Sequence, residues 1–395
     1  MNMTRISSGT NTPWLAGCLL AFGGLSAPTH AGSFDEALAG GTANVDMRLR
    51  YENVDDSTHK DAQAATLRTR LGYRTGDYQG IFVFGEFEDV RTVLGLNHYA
   101  PVKSGYAVIA DPAVTQVNQA FLGYQGFYQT TAKLGRQRLI LDNARFVGNV
   151  GWRQNEQTFD AVSLSNRLFP QTTVTYAFLD KVNGILEKFD ADVTDHLLNI
   201  TYSGFKSVKI TTYGYLLKDD HSKANNNTYG LRLSGAHRLD QKKKLLYTAE
   251  FASQKTDDND ALYTFLEGGM QYGGAKFKLG YERLGSDNGG YGLQTPLATK
   301  HAFNGWADEF LATPVKGLQD VMVSVGGTVA GAKLLAVYHD FSADQGSKDY
   351  GTEVDLLAAR KFAKRYLLGI KYAGYRADSW KTDTDKLWFW GQLKI

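Results

Sequence analysis

Residues 66–90 read TLRTRLGYRTGDYQGIFVFGEFEDV. Arg68, Arg70 and Arg74 share one parity and Leu67, Leu71 and Tyr73 the other, which is the period of a β-strand. A turn-like Gly76-Asp77-Tyr78-Gln79-Gly80 follows. A second run then keeps Ile81, Val83 and Phe87 on one face and Glu86 and Glu88 on the other. One face of this hairpin is charged and the other apolar. A soluble sandwich hides the Leu and Tyr face, whereas a membrane barrel turns it to lipid and keeps the arginines inside.

The start of the chain points to export. Arg5 precedes an apolar stretch from Trp14 to Leu25, followed by small residues around Ala27 and Ala31, the pattern of a cleaved signal peptide over residues 1–31. Leu15-Ala16-Gly17-Cys18 also has the form of a lipobox, but the segment before it is polar and the apolar run continues past it, so Cys18 is expected to leave with the signal. The mature chain, 32–395, then has no cysteine, which excludes a disulfide framework and a cysteine nucleophile.

Composition narrows the class further. The 395 residues include 42 glycines, 7 prolines and 12% aromatics, a length that one large β domain absorbs. Removing Arg5 takes the formal charge from +2 to +1 (42 bases against 41 acids), so neither nucleic-acid binding nor a polyanionic tail is indicated. No run of eighteen or more apolar residues follows the signal, which excludes a transmembrane helix and leaves membrane strands open.

Read by period, the chain holds about eighteen alternating segments. They centre near Met47, Thr69, Phe84, Ala120, Leu134, Val162, Thr175, Asn199, Thr211, Arg232, Thr248, Phe265, Leu279, Val323, Ala336, Asp355, Gly369 and Trp390. Short connections (76–80, 126–130, 167–171, 203–207, 273–275) alternate with long ones (90–115, 138–157, 180–195, 218–228, 285–319). That asymmetry predicts an all-β transmembrane antiparallel barrel in the bacterial outer membrane, with short periplasmic turns and long extracellular loops. Val45, Met47, Leu49 and Tyr51 oppose Asp46, Arg48, Arg50 and Glu52, and tyrosines recur near segment ends (Tyr51, Tyr73, Tyr176, Tyr202, Tyr229, Tyr281, Tyr366, Tyr372), as an aromatic girdle requires. Phe82 and Phe84 fall on the lumen parity, which calls for an aromatic lining there or a bulge. A secreted sandwich, β-helix or propeller shares the alternation, but its polar face has no need of Arg and Glu on strand after strand.

At this point the chain resembles the bacterial outer-membrane alginate-export-like barrels, which share their plan with porins. The likeness spans nearly the whole mature chain and is carried by LRTRLGYRTGDYQG (67–80), LGRQRLILDNARFVGNVGWRQNEQTFDAV (134–162) and QTPLATKHAFNGWADEFLATPVKGLQD (294–320). The resemblance implies a diffusion channel whose arginine-lined lumen favours anionic sugars or carboxylates. It also implies that the Gly135-Arg136-Gln137 turn, Trp152-Arg153 and Thr158-Phe159-Asp160 lie at or near the constriction.

From the residues themselves, the lumen set is Arg48, Arg50, Arg68, Arg70, Arg74, Arg136, Arg138, Arg145 and Arg153, with Glu86 and Glu88. Guanidinium forks suit carboxylates and phosphates. The same arginines can instead tie to Asp46, Glu52, Glu86 and Glu88 across adjacent strands and hold the wall. Glu250, Glu282, Glu353 and Asp355 on later strands would set a transverse field against the basic wall. The longest loop offers a plug, with a short helix expected over 303–311 and His301, Trp306, Asp308 and Glu309 at the constriction.

His301 with Asp308 and Glu309 lacks metal-site spacing, no G-x-S-x-G occurs, and the chain is read as neither enzyme nor cofactor protein, with no catalytic or metal residues. A porin-like channel for passive passage of anionic or dipolar small solutes is therefore expected. A plugged adhesin or a barrel hydrolase is the alternative. The expected partners are outer-membrane lipid and, during biogenesis, the barrel-assembly machinery.

Overall fold

A computed structural model describes residues 32–395, so the expected signal segment and Cys18 lie outside the described residues. A short capped helix, Phe34–Ala39, leads into eighteen barrel strands. They are β1 Thr42–Asp56, β2 Ala62–Arg74, β3 Ile81–His98, β4 Val114–Gln125, β5 Thr130–Gln137 and β6 Thr158–Asn166. Next come β7 Thr172–Asn183, β8 Ala191–Tyr202, β9 Val208–Lys218, β10 Asn225–Arg238, β11 Lys243–Thr256 and β12 Asp260–Tyr272. The last six are β13 Ala275–Leu284, β14 Leu318–Val329, β15 Ala332–Ser342, β16 Asp349–Phe362, β17 Tyr366–Ala377 and β18 Thr384–Lys394. Every predicted strand centre falls inside one of them.

Each strand pairs antiparallel with its chain neighbours, and β18 pairs with β1 from Asp46 opposite Lys394 to Asp56 opposite Thr384. Closure removes the sheet edge, which hydrocarbon cannot satisfy. Eighteen strands enclose an aqueous interior unless loops enter it.

The faces follow the alternation. Arg48, Arg50 and Glu52 are buried inside β1, while Leu49 between them is exposed on the outer surface, where lipid covers it. All eight girdle tyrosines take the outward parity of their strands. Bulges adjust the register, among them those at Asn118 in β4, at Asp180 in β7 and at Tyr350 in β16, where one strand gains a residue over its partner. β3 keeps its parity from Ile81 to Thr92, so Phe82 and Phe84 do line the interior: they pack on Phe121, and the Arg74 guanidinium covers the Phe82 ring at 3.8 Å.

The turns at one end are short (75–80, 126–129, 167–171, 203–207, 239–242, 273–274, 330–331, 363–365). The opposite end carries the long connections 99–113, 138–157 and 285–317. Two connections read as long are not. β7 and β8 continue to Asn183 and from Ala191, because cross-strand pairing extends through their polar residues, and 219–224 joins β9 to β10 in the same way.

Candidate functional site

The loop 138–157 leaves β5 but is held by strands far from it. Arg48 donates from Nε to Gln154 Oε1 at 2.8 Å, to the Gly151 carbonyl at 3.3 Å, and to the Arg153 carbonyl. Arg50 donates to the Trp152 carbonyl at 2.5 Å and pairs with Asp111. Arg70 reaches the Gln154 carbonyl at 3.3 Å and pairs with Glu88 and Glu156. Gln154 returns the contact, donating to Thr66 Oγ1 at 2.9 Å. At its other flank the loop sends Arg145 to Glu282 on β13, 2.8 Å away. A loop held at once by β1, β2 and β13 crosses the lumen.

The loop 285–317 comes in from the opposite wall. Asn304 donates to Glu282 at 2.7 Å and Asp320 at 3.2 Å, and the backbone N–H groups of Ala307 and Trp306 donate to Glu353 at 2.7 Å and Asp355 at 3.2 Å. The expected helix over 303–311 does not form. Asn304, Gly305 and Asp308 all have positive φ, which no α-helix accommodates, and the only helical turn of the loop is Lys300–Ala302. Trp306 and Phe310 are buried as expected of a packed plug. The two loops join where Gly148 N donates to the Leu297 carbonyl at 2.8 Å and Thr299 N to the Ala144 carbonyl at 3.0 Å.

His301 stands at their junction. Its ring stacks on Trp152, with centroids 5.1 Å apart and planes 6° apart. Lys371 of β17 places its ammonium 3.7 Å from the Trp306 ring centroid and 4.2 Å from that of Trp152, and 2.7 Å from His301 Nε2. An ammonium only donates, so Nε2 accepts and Nδ1 carries the proton toward Asp308 Oδ1 at 2.6 Å. The imidazole is therefore neutral, in keeping with burial pushing its pKa down to about 3 against the pull of Asp308. Asp308 also meets Arg153 at 2.9 Å and Lys386 at 3.3 Å, and Arg153 continues to Glu52 at 3.0 Å. Burial penalises the Glu156 carboxylate, yet Arg138 and Arg70 outweigh it and hold that group well below the usual range.

The structure thus brings Arg48, Arg50, Arg70, Arg138, Arg145, Arg153, Glu88, His301, Trp306 and Asp308 into one waist. Glu86 joins its edge through Asn118 at 2.7 Å and Arg138 at 3.6 Å. Arg68 lies inward beside it, directly opposite Arg48 in the register and paired with Asp46 at 2.8 Å. Glu309 borders the waist: its backbone carbonyl accepts from Trp380 Nε1 at 3.1 Å, and its side chain hydrogen-bonds Thr384 near Lys386 and Asp308. Arg74 sits inside at the periplasmic end with Asp77.

Arg136 is a correction. Residues 135–137 form strand rather than turn, and Arg136 shares the outward parity of Leu134 and Val162, which are exposed. It meets Asp160, also outward, through a fork of 2.7 and 3.0 Å. Similar outward pairs occur at the same end: Arg91 with Asp89, Arg283 with Asp344 and Arg376 with Asp385.

The transverse field also needs revision, because both walls are engaged. The basic wall grips loop carbonyls, while Glu282, Glu353 and Asp355 take loop donors, and Glu250 takes Arg232 and Tyr213. Sequence reading missed Asp111, Gln154, Glu156, Lys371 and Lys386. Only the two lysines left a signal, as charges on the inward parity of apolar strands. Among the described residues no group of three His, Cys, Asp or Glu is arranged to hold a metal ion.

Comparison with known proteins agrees with this architecture. The family model described as "Alginate export" matches residues 41–282. No curated protein matches the chain in sequence. OccAB4 of Acinetobacter baumannii superposes with TM-score 0.72 at 14% identity, covering 90% of this chain and 98% of that one. OpdK of Pseudomonas aeruginosa, solved with vanillate, gives 0.72 at 14% over 91% and 99%. OpdL of the same organism gives 0.69 at 17% over 91% and 99%. These neighbours are outer-membrane channels, and the fold is theirs.

Proposed function

The chain belongs to the alginate-export family of outer-membrane barrels, and from that premise we propose that it is a channel for passive passage of small anionic or dipolar solutes, carboxylates and acidic sugars foremost. One observation carries the charge preference. Arg50 and Arg68 face inward with buried Nε donors that have no acceptor among the described residues, and among those residues Arg68 forms an ion pair with Asp46. A guanidinium with donors to spare beside a second arginine is a station for a carboxylate in transit. The vanillate bound by OpdK is a solute of this kind. The remaining arginines hold the loops that narrow the path, so they shape the aperture more than they touch the solute.

Single-channel recording in planar bilayers tests the reading. Discrete conductance steps are expected, with a reversal potential in a salt gradient displaced toward anions and a current reduced by added small carboxylates. A barrel that inserts but passes no current, or prefers cations, overturns it.

A further inference from the structure

The outer wall is shorter on one side of the barrel than on the other. On β5 and β6 the outward pair Arg136 and Asp160 stands directly across the register. Below it, β5 ends six residues away at Thr130 and β6 six residues away at Asn166. Across the barrel, Arg376 of β17, paired outward with Asp385, lies ten residues from Tyr366 at the lower end of its strand. At a rise of about 3.4 Å per residue and a tilt of about 40°, six residues climb about 16 Å and ten about 26 Å. The apolar belt of an outer-membrane barrel is about 25 Å tall, so the strands at β5 and β6 fall about 10 Å short of it.

The turns beyond them supply what the strands lack. Turn 126–129 presents Phe127 and Tyr128, turn 167–171 presents Leu168 and Phe169, and turn 203–207 presents Phe205, with Phe127 67% and Phe169 61% exposed. The backbone holds these side chains out. Tyr128, Gln129 and Gln171 have positive φ, a region that residues other than glycine seldom enter. Each turn is also bonded to the next: Asn166 Nδ2 donates to the Tyr128 carbonyl at 2.9 Å, Arg167 N to the Gln129 carbonyl at 3.2 Å, and Ser203 N to the Gln171 carbonyl at 2.8 Å. The three turns therefore make one apolar edge, which continues the lipid-facing wall of Leu134, Val162 and Leu164. They carry two exposed cations, Arg167 and Lys206, and no acid. The turns on the far side of the barrel, 273–274, 330–331 and 363–365, consist of Gly, Ala, Lys and Arg.

We propose that turns 126–129, 167–171 and 203–207 are a lipid-binding edge immersed in the inner leaflet. Their rings complete the apolar belt where the strands stop short, and Arg167 and Lys206 meet phospholipid phosphates. Aromatic rings favour the headgroup boundary, and Lys and Arg stems reach from apolar surroundings to a charged layer. Phospholipid is the occupant because the edge is continuous with the lipid-facing wall and makes up the height that this wall lacks.

Spin labels measure the depth. In a Cys18→Ser background, nitroxides attached at Phe127→Cys, Phe169→Cys and Phe205→Cys, with Lys364→Cys as the control, are read in vesicles of phosphatidylethanolamine and phosphatidylglycerol. Oxygen, which partitions into acyl chains, should relax the first three labels more than an aqueous nickel chelate does, and the order should reverse at the control. Heat-resistant gel mobility checks assembly, and Leu168→Cys reports on the same turn should Phe169→Cys not assemble. Nickel contact at the three turns equal to that at the control puts the edge in the periplasm and overturns the proposal. Protection from both reagents there means that a protein partner or a second copy covers the edge, which overturns it as well.

Discussion

The imidazole of His301 lies parallel to the indole of Trp152, and that contact joins two loops from opposite walls of the barrel. Neither loop is held by it alone, since the arginines of β1 and β2 clamp one and the carboxylates of β13 and β16 the other. The stack closes the span between them, and Lys371 seals it from the wall.

Trp152→Ala should therefore loosen the waist without unfolding the barrel. An aromatic stack and a cation–π contact together contribute about 1–3 kcal/mol. Higher and noisier single-channel conductance is expected, with heat-resistant gel mobility retained. Unchanged conductance would mean that the loops stay joined through their backbone bonds.

Acid should act on the same joint. His301 has its pKa pushed down to about 3 from an ordinary 6.5, so docking binds fewer protons than the released loop. Its stability is complete above about 6.5 and declines as pH falls toward 3, by about 1.4 kcal/mol per unit. Between pH 7 and pH 4.5 open conductance should rise in the native protein and stay flat in His301→Asn. A native profile equally flat would count against a neutral, buried imidazole.

The neighbouring arginines of the opening stretch should behave differently. Arg70→Gln leaves Glu88 with the neutral Gln116 and Glu156 with Arg138 as its cation, and removing one member of a buried pair costs about 3–5 kcal/mol. Arg68→Gln releases only Asp46, which keeps Lys394 at 3.3 Å and Gln392 at 2.7 Å. The first should lower the melting temperature most, and the second should shift anion selectivity most. The reverse order would exchange their roles.

Arg136→Gln should leave the reversal potential unaltered, because the side chain stands outside the lumen. A clear loss of anion preference would return it to the solute path.

Gly305→Ala should unseat the plug. Gly305 has φ +84°, and a Cβ there would lie 2.2 Å from Glu353 Oε2. Gly346, at φ +95° with open space around it, gives the control for backbone strain alone. Protease cutting within 285–317 should rise in the first variant and not in the second.

The strands were legible because alternation is local: each inward Arg or Glu in β1–β3 follows from parity alone. Arg136 was legible too, since Leu134 on the same parity points to lipid, but reading 135–137 as a turn hid it. The waist was not. Gln154 and Asp111 are buried through contacts with residues more than forty positions away, and no period records such pairings. Positive φ at Asn304 and Asp308 likewise depends on what those residues meet across the lumen, so the stretch read as a helix.

The outward acid–base pairs on β3, β5–β6, β13 and β17–β18 share one end of the barrel, and they act as a draught mark. Sinking the barrel would carry these charges into acyl chains, where an arginine costs about 2–4 kcal/mol at the midplane. Tyrosines such as Tyr73, Tyr202 and Tyr366 hold the opposite margin. The barrel therefore floats at a depth set by its own wall, and a bilayer of another thickness must bend to meet it.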